Sequence, residues 1–173
     1  MKLILLIYLV ITSLLPPIAL GQVEGMWLPN LVYMHMKDPK GIRSIVEVEK
    51  KQNPFYLRGD FDGDNQPDYA VAVRDRKTKR LGVFVCTAKG KTFMLGAHNP
   101  QKVSDLPNDN FVSSNWMVYT KQESAEVYNP DTGAHIISFP PKGESIVMVF
   151  DEGATCLIYW DGEKFKWGCG TRD

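Results

Sequence analysis

The sequence is short of several features that mark common functional classes. It has no cationic excess, since 20 Lys and Arg face 20 Asp and Glu. A broad grip on nucleic acid needs a basic excess or face, so that class is set aside. Only three Cys and three His are present, and His35, His98 and His135 share no local ligand spacing, so zinc is unsupported. The 14 Gly and 11 Pro show no period, which excludes collagen-like and low-complexity chains. No glycine-rich phosphate loop, nucleophile elbow or internal repeat is visible. With 44% hydrophobic and 23% charged residues, intrinsic disorder is excluded too.

The one long apolar run stands at the start. Lys2 precedes Leu3 to Leu15, Pro16 and Pro17 follow, and Ala19-Leu20-Gly21 offers a small-x-small cleavage site. The expectation is a signal peptide over 1–21, the run being shorter than the roughly 20 residues that span a bilayer. The mature chain, Gln22 to Asp173, would then carry one cation fewer and cross no membrane, and it would be periplasmic or secreted. A chain of about 150 residues can bury nearly 70% of its unfolded surface, so residues 22–173 are expected to form one domain.

After a mixed segment from Gln22 to Gln52, read as short helix, strand signals dominate. Runs rich in Val, Ile, Phe, Tyr and Trp recur at Phe55–Leu57, Tyr69–Val73, Leu81–Cys86, Thr92–Leu95, Trp116–Tyr119, Ser145–Phe150, Thr155–Trp160 and Lys164–Trp167. The expected fold is α+β: a mainly antiparallel β-sheet with one or two short helices near the N-terminus. Asp161-Gly162 marks a tight hairpin turn and Arg76-Lys77-Thr78-Lys79 a second. Gly96 to Asn115 reads as a long polar loop.

Chemistry concentrates in Gly59-Asp60-Phe61-Asp62-Gly63-Asp64-Asn65-Gln66-Pro67-Asp68. Asp60, Asp62, Asp64 and Asp68 fall at loop positions 1, 3, 5 and 9. Carboxylates crowded this closely repel, and a hard divalent cation removes the penalty. Calcium suits them, because it takes six to eight oxygen ligands in irregular geometry. The Gln66 carbonyl, at position 7, would add a ligand. Asn65 stands where the turn is sharp, and Asn tolerates the left-handed backbone.

Position 12 is Val71 rather than Glu, and the loop runs into a strand rather than a helix. The span from Gly59 to Val71 resembles the calcium loops of FG-GAP and VCBS-type repeats, an EF-hand-like loop set between two strands. That resemblance implies calcium on Asp60, Asp62, Asp64, Gln66 and Asp68. Those families repeat the loop around a propeller; this chain has a single copy, so their architecture does not carry over. The order of loop and closing Tyr-Trp-Asp-Gly-Glu-Lys-Phe hairpin also resembles small exported bacterial proteins, and implies no activity.

In an exported chain, Cys86, Cys156 and Cys169 suggest one disulfide and one thiol. A turn at Asp161-Gly162 pairs 160 with 163, which puts 156 opposite 167 and 169 diagonally beyond it on the same face. A one- or two-residue bulge would bring Cys156 and Cys169 together. Pairing of Cys86 with either stays open. Arg74 to Arg80 holds five cations, read as a solvated hairpin tip or a contact for an anionic partner. Tyr159, Trp160, Phe165 and Trp167 are core or, in part, a protein or carbohydrate contact.

Three functions fit. The first is an exported, non-enzymatic calcium-binding module of the bacterial envelope or exterior, with an unidentified protein or carbohydrate partner. The second is an envelope inhibitor or immunity protein that blocks a hydrolase or toxin. The third is a metal-assisted hydrolase, which requires further groups converging on the ion.

Overall fold

The computed structural model describes residues 28–38, 40–97, 115–120, 126–128, 135–137, 142–149 and 155–170. The expected signal peptide and most of the polar loop after Gly96 lie outside these residues. A short helix α1 (Asn30–Met36) and a 3-10 turn (Ile42–Ser44) precede strands β1 (Val46–Val48), β2 (Tyr56–Gly59), β3 (Asp68–Asp75), β4 (Leu81–Cys86) and β5 (Thr92–Gly96). There follow β6 (Asn115–Tyr119), β7 (Glu126–Tyr128), β8 (His135–Ile137), β9 (Ser145–Val149), β10 (Thr155–Trp160) and β11 (Phe165–Gly170).

Two antiparallel sheets result. In the first, β3 is the shared rail: β4 lies along one edge, while β2 and β1 pair successive halves of the other. The second runs β6-β9-β10-β11-β7-β8. The expectation of a mostly antiparallel β protein with a short helix near the N-terminus therefore holds.

Side chains of a strand alternate between faces, and here both faces of the first sheet are covered. Leu57, Ala70, Ala72, Val83, Val85 and Leu95 point one way, onto Trp116, Ile146, Met148, Ile158 and Phe165 of the second sheet. Val71, Val73, Phe84 and Cys86 point the other way, onto Val32 and Met36 of α1 and onto Val46. Val32 and Met36 are four residues apart, so one helix face meets the sheet. The double burial explains why β3 and β4 read as nearly continuous apolar runs.

Three local features differ from the sequence reading. Val46–Val48 is a strand rather than helix, held because Glu47 and Val48 fall opposite Arg74 and Val73. The cationic hairpin is charge-paired: Arg74 Nε donates to Glu49 Oε2 at 2.6 Å, and Arg76 meets Glu47 at 3.1 Å. Glu49 is only 7% exposed, so this is more than a solvated tip. Finally, the β10–β11 turn spans four residues. Asp161 Oδ1 accepts the N–H groups of Glu163 and Lys164, and Trp160 pairs with Phe165 instead of residue 163. The two-residue shift sets Cys156 directly opposite Cys169.

Tyr159 and Phe165 are buried, and Trp160 packs edge-on against Phe93 and Phe165 with centroids 5.5 and 5.0 Å apart. These three rings are therefore committed to packing.

Candidate metal centre

The acidic loop joins β2 to β3 at the edge of the inter-sheet core. Phe61 anchors it: its ring is 0% exposed within that core, a burial that contributes about 2 kcal/mol or more. Because Phe61 turns inward, its neighbours Asp60 and Asp62 are held at the rim. Gly63 and Asn65 both adopt positive φ, 75° and 62°, so the chain curls tightly there and Asn65 takes the left-handed form expected of it.

The curl gathers three carboxylates. Ligand oxygens of Asp60, Asp62 and Asp68 all lie within 4.8 Å of one another. Main-chain donors fix two of them. Asp60 Oδ1 accepts Asp64 N–H at 2.9 Å and Oδ2 accepts Asn65 N–H at 3.0 Å. Asp68 is 0% exposed, and its Oδ2 accepts Phe61 and Asp62 N–H while Oδ1 accepts Ala88 N–H. A carboxylate has about four lone-pair positions, so Asp60 retains one on each oxygen and Asp68 one on Oδ1.

Asp62 is different. Its Oδ1 is buried and has no hydrogen-bond partner among the described residues. An ionised carboxylate only accepts, and the adjacent carboxylates offer it nothing. Burial pushes the Asp62 carboxyl above its usual range, with the Asp64 charge adding to that, and burial pushes Asp68 up as well. The donor set is therefore all oxygen, anionic and short of positive charge. That is the chemistry a hard divalent cation satisfies.

Asp64 neighbours Asp62 but is also paired to a cation. Lys89 Nζ lies 3.0 Å from its Oδ2, and this bond holds the Asp64 carboxyl below its usual range. Asp64 Oδ1 accepts Gln66 N–H at 2.8 Å. Gln66 itself is exposed. Of the five residues expected to ligate, the fold thus brings Asp60, Asp62 and Asp68 together and turns Asp64 to a lysine.

Sequence reasoning missed a second element. The segment Lys142-Gly143-Glu144, ahead of β9, straps across the loop. Asp60 N–H donates to Glu144 Oε2 at 2.8 Å, and Glu144 N–H returns a bond to the Asp60 carbonyl at 2.6 Å. Gly143 has φ of 95°, and a Cβ there would be driven into the Asp60 carbonyl. The only sequence signal was a Gly beside an acid after two prolines. Cys86, on the helix-facing side of β4, is buried, and desolvation pushes its thiol up to about 12, far from a nucleophile's range. The chain matches no protein-family model, no curated protein and no solved structure.

Proposed function

We propose that the chain is an exported α+β domain that binds calcium through an FG-GAP-like loop and serves as a non-enzymatic binding module of the bacterial envelope or exterior. The observation that carries the calcium reading is the buried Asp62 Oδ1, unpartnered among the described residues, inside a group of three converging carboxylates. Asp60, Asp62 and Asp68 would hold the ion. When bound, it neutralises their charge and fixes the register of β2 against β3. The strap from Lys142 to Glu144 extends that order to the second sheet. The partner would be a protein or a carbohydrate, met by a scaffold kept rigid by the ion and by a Cys156–Cys169 disulfide. No residue of the site favours the hydrolase or inhibitor readings over this one.

Isothermal titration of the mature chain, Gln22 to Asp173, with calcium tests the proposal. Wild type should give saturable one-to-one heat, and Asp60→Ala with Asp62→Ala should give none. Absence of heat from the wild type would sink it.

A further inference from the structure

We propose that Thr87 belongs to the ion's shell: its buried hydroxyl holds a water that occupies one coordination position on a cation bound by Asp60, Asp62 and Asp68. The inference rests on the calcium reading of that loop and adds a residue from a different strand.

Thr87 is 0% exposed, and its Oγ1 has no hydrogen-bond partner among the described residues. An orphaned buried hydroxyl is a net cost that a methyl group would avoid, so its surroundings should explain it. The register supplies the explanation. β3 and β4 pair Tyr69 with Cys86, and continuing one step places Asp68 opposite Thr87. The Asp75 N–H bond to the Arg80 carbonyl marks 75 and 80 as a hydrogen-bonded pair. Alternation from there makes 68 and 87 a non-hydrogen-bonded pair, the kind whose side chains approach most closely.

Facing agrees. Ala70 and Ala72 of β3, and Val83 and Val85 of β4, point into the inter-sheet core, so Asp68 and Thr87 continue the same face. Lys91 and Ala88 hold the backbone here: Thr87 N–H donates to the Lys91 carbonyl at 2.8 Å, and Ala88 N–H donates to Asp68 Oδ1 at 2.8 Å. Register and facing thus set the Thr87 side chain next to that of Asp68, and the hydroxyl makes no hydrogen bond to it or to any other described residue. A metal-bound water between the two is the partner that would satisfy the hydroxyl. Calcium sites commonly complete their coordination with water, and residues that orient such shells govern affinity.

The test uses the mature chain with calcium in titration calorimetry, and with terbium as a luminescent substitute. Terbium decay rates in H2O and D2O count the waters on the ion. Thr87→Val should weaken calcium by about tenfold and remove one water from the terbium count. Thr87→Ser, which keeps the hydroxyl, should restore both. Wild-type affinity and an unchanged count in Thr87→Val would overturn the role of Thr87 while leaving the calcium reading intact. Weaker binding with an unchanged count would mark a packing effect and overturn it equally. Should Thr87→Val fail to fold by near-ultraviolet circular dichroism, Thr87→Ala is judged by the same two readouts. If wild type binds neither ion, the calcium reading fails and this inference goes with it.

Discussion

Asp60 and Glu144 clasp each other twice across 84 residues of sequence, each donating its backbone N–H to an oxygen of the other. One partner sits in the acidic loop of the first sheet and the other at the entry to β9 of the second. The candidate centre is therefore part of the joint between the sheets.

Gly143 makes that clasp possible, and replacing it should be costly. Gly143→Ala combines a strained positive φ with a collision at the Asp60 carbonyl, and should lower unfolding free energy by about 3 kcal/mol. Gly90 also has positive φ, 79°, but open space around its Cα. Gly90→Ala should cost only about 1 kcal/mol. Urea unfolding of both variants checks this; equal losses would mean that the close approach is not tight.

The β10–β11 turn should carry acid-sensitive stability. Burial pushes the Asp161 carboxyl up, but N–H bonds from Lys164 and Glu163 and the Lys166 ammonium win and hold it at about 2. A folded value below the unfolded one stabilises the fold at pH above about 4, and that contribution drains away as pH falls toward 2. Asp161→Ala should thus cost about 1 kcal/mol at neutral pH, after discounting for solvent screening, with the difference shrinking below pH 4. Urea midpoints across that range measure it, and a difference independent of pH would refute it.

The features legible in the sequence are those whose physics is local. Four acids in nine residues announce a charge problem whatever surrounds them, and Asn65 in a left-handed turn follows from its own side chain. The runs of β3 and β4 were legible because covered strands bury both parities. What escaped depends on distant partners. Val46-Glu47-Val48 is too short to signal a strand, and β3 makes it one. The strap over Asp60 works through backbone bonds that composition does not encode. The hairpin register differs from a two-residue Asp-Gly turn because Asp161 caps the turn with its own carboxylate, widening a dipeptide that usually closes in two residues.

The corrected register bears on the cysteines. The Asp161 N–H bond to the Lys164 carbonyl defines a hydrogen-bonded pair, so by alternation Cys156 and Cys169 occupy a non-hydrogen-bonded position. Opposite Cα atoms there are about 4.5 Å apart, within the span of a disulfide. Non-reducing peptide mapping should recover Cys156 joined to Cys169 and a single thiol, Cys86, that reacts only after unfolding. Reduction should cost about 2–3 kcal/mol. A crosslink involving Cys86 would count against it.

Arg74 should matter more than an exposed arginine. It closes on Glu49, which is largely enclosed, and also donates to the Lys79 carbonyl at 2.7 Å. Arg74→Met leaves that carboxylate without its guanidinium, at a cost of about 2 kcal/mol, below the range for a fully buried pair because Arg74 is itself 30% exposed. Arg74→Met with Glu49→Gln should recover part of the loss. A single variant as stable as wild type would place the pair among surface ion pairs.

A sheet covered on both sides has no face on which drift is free. From Ala70 to Val73 and from Val83 to Cys86, each polar substitution enters one core or the other, and a slip of one residue would exchange Ala70 and Ala72 for Val71 and Val73 and misfit both layers at once. Substitutions in this half of the protein should therefore be borne best at exposed turn positions such as Lys77, whose side chain enters neither core.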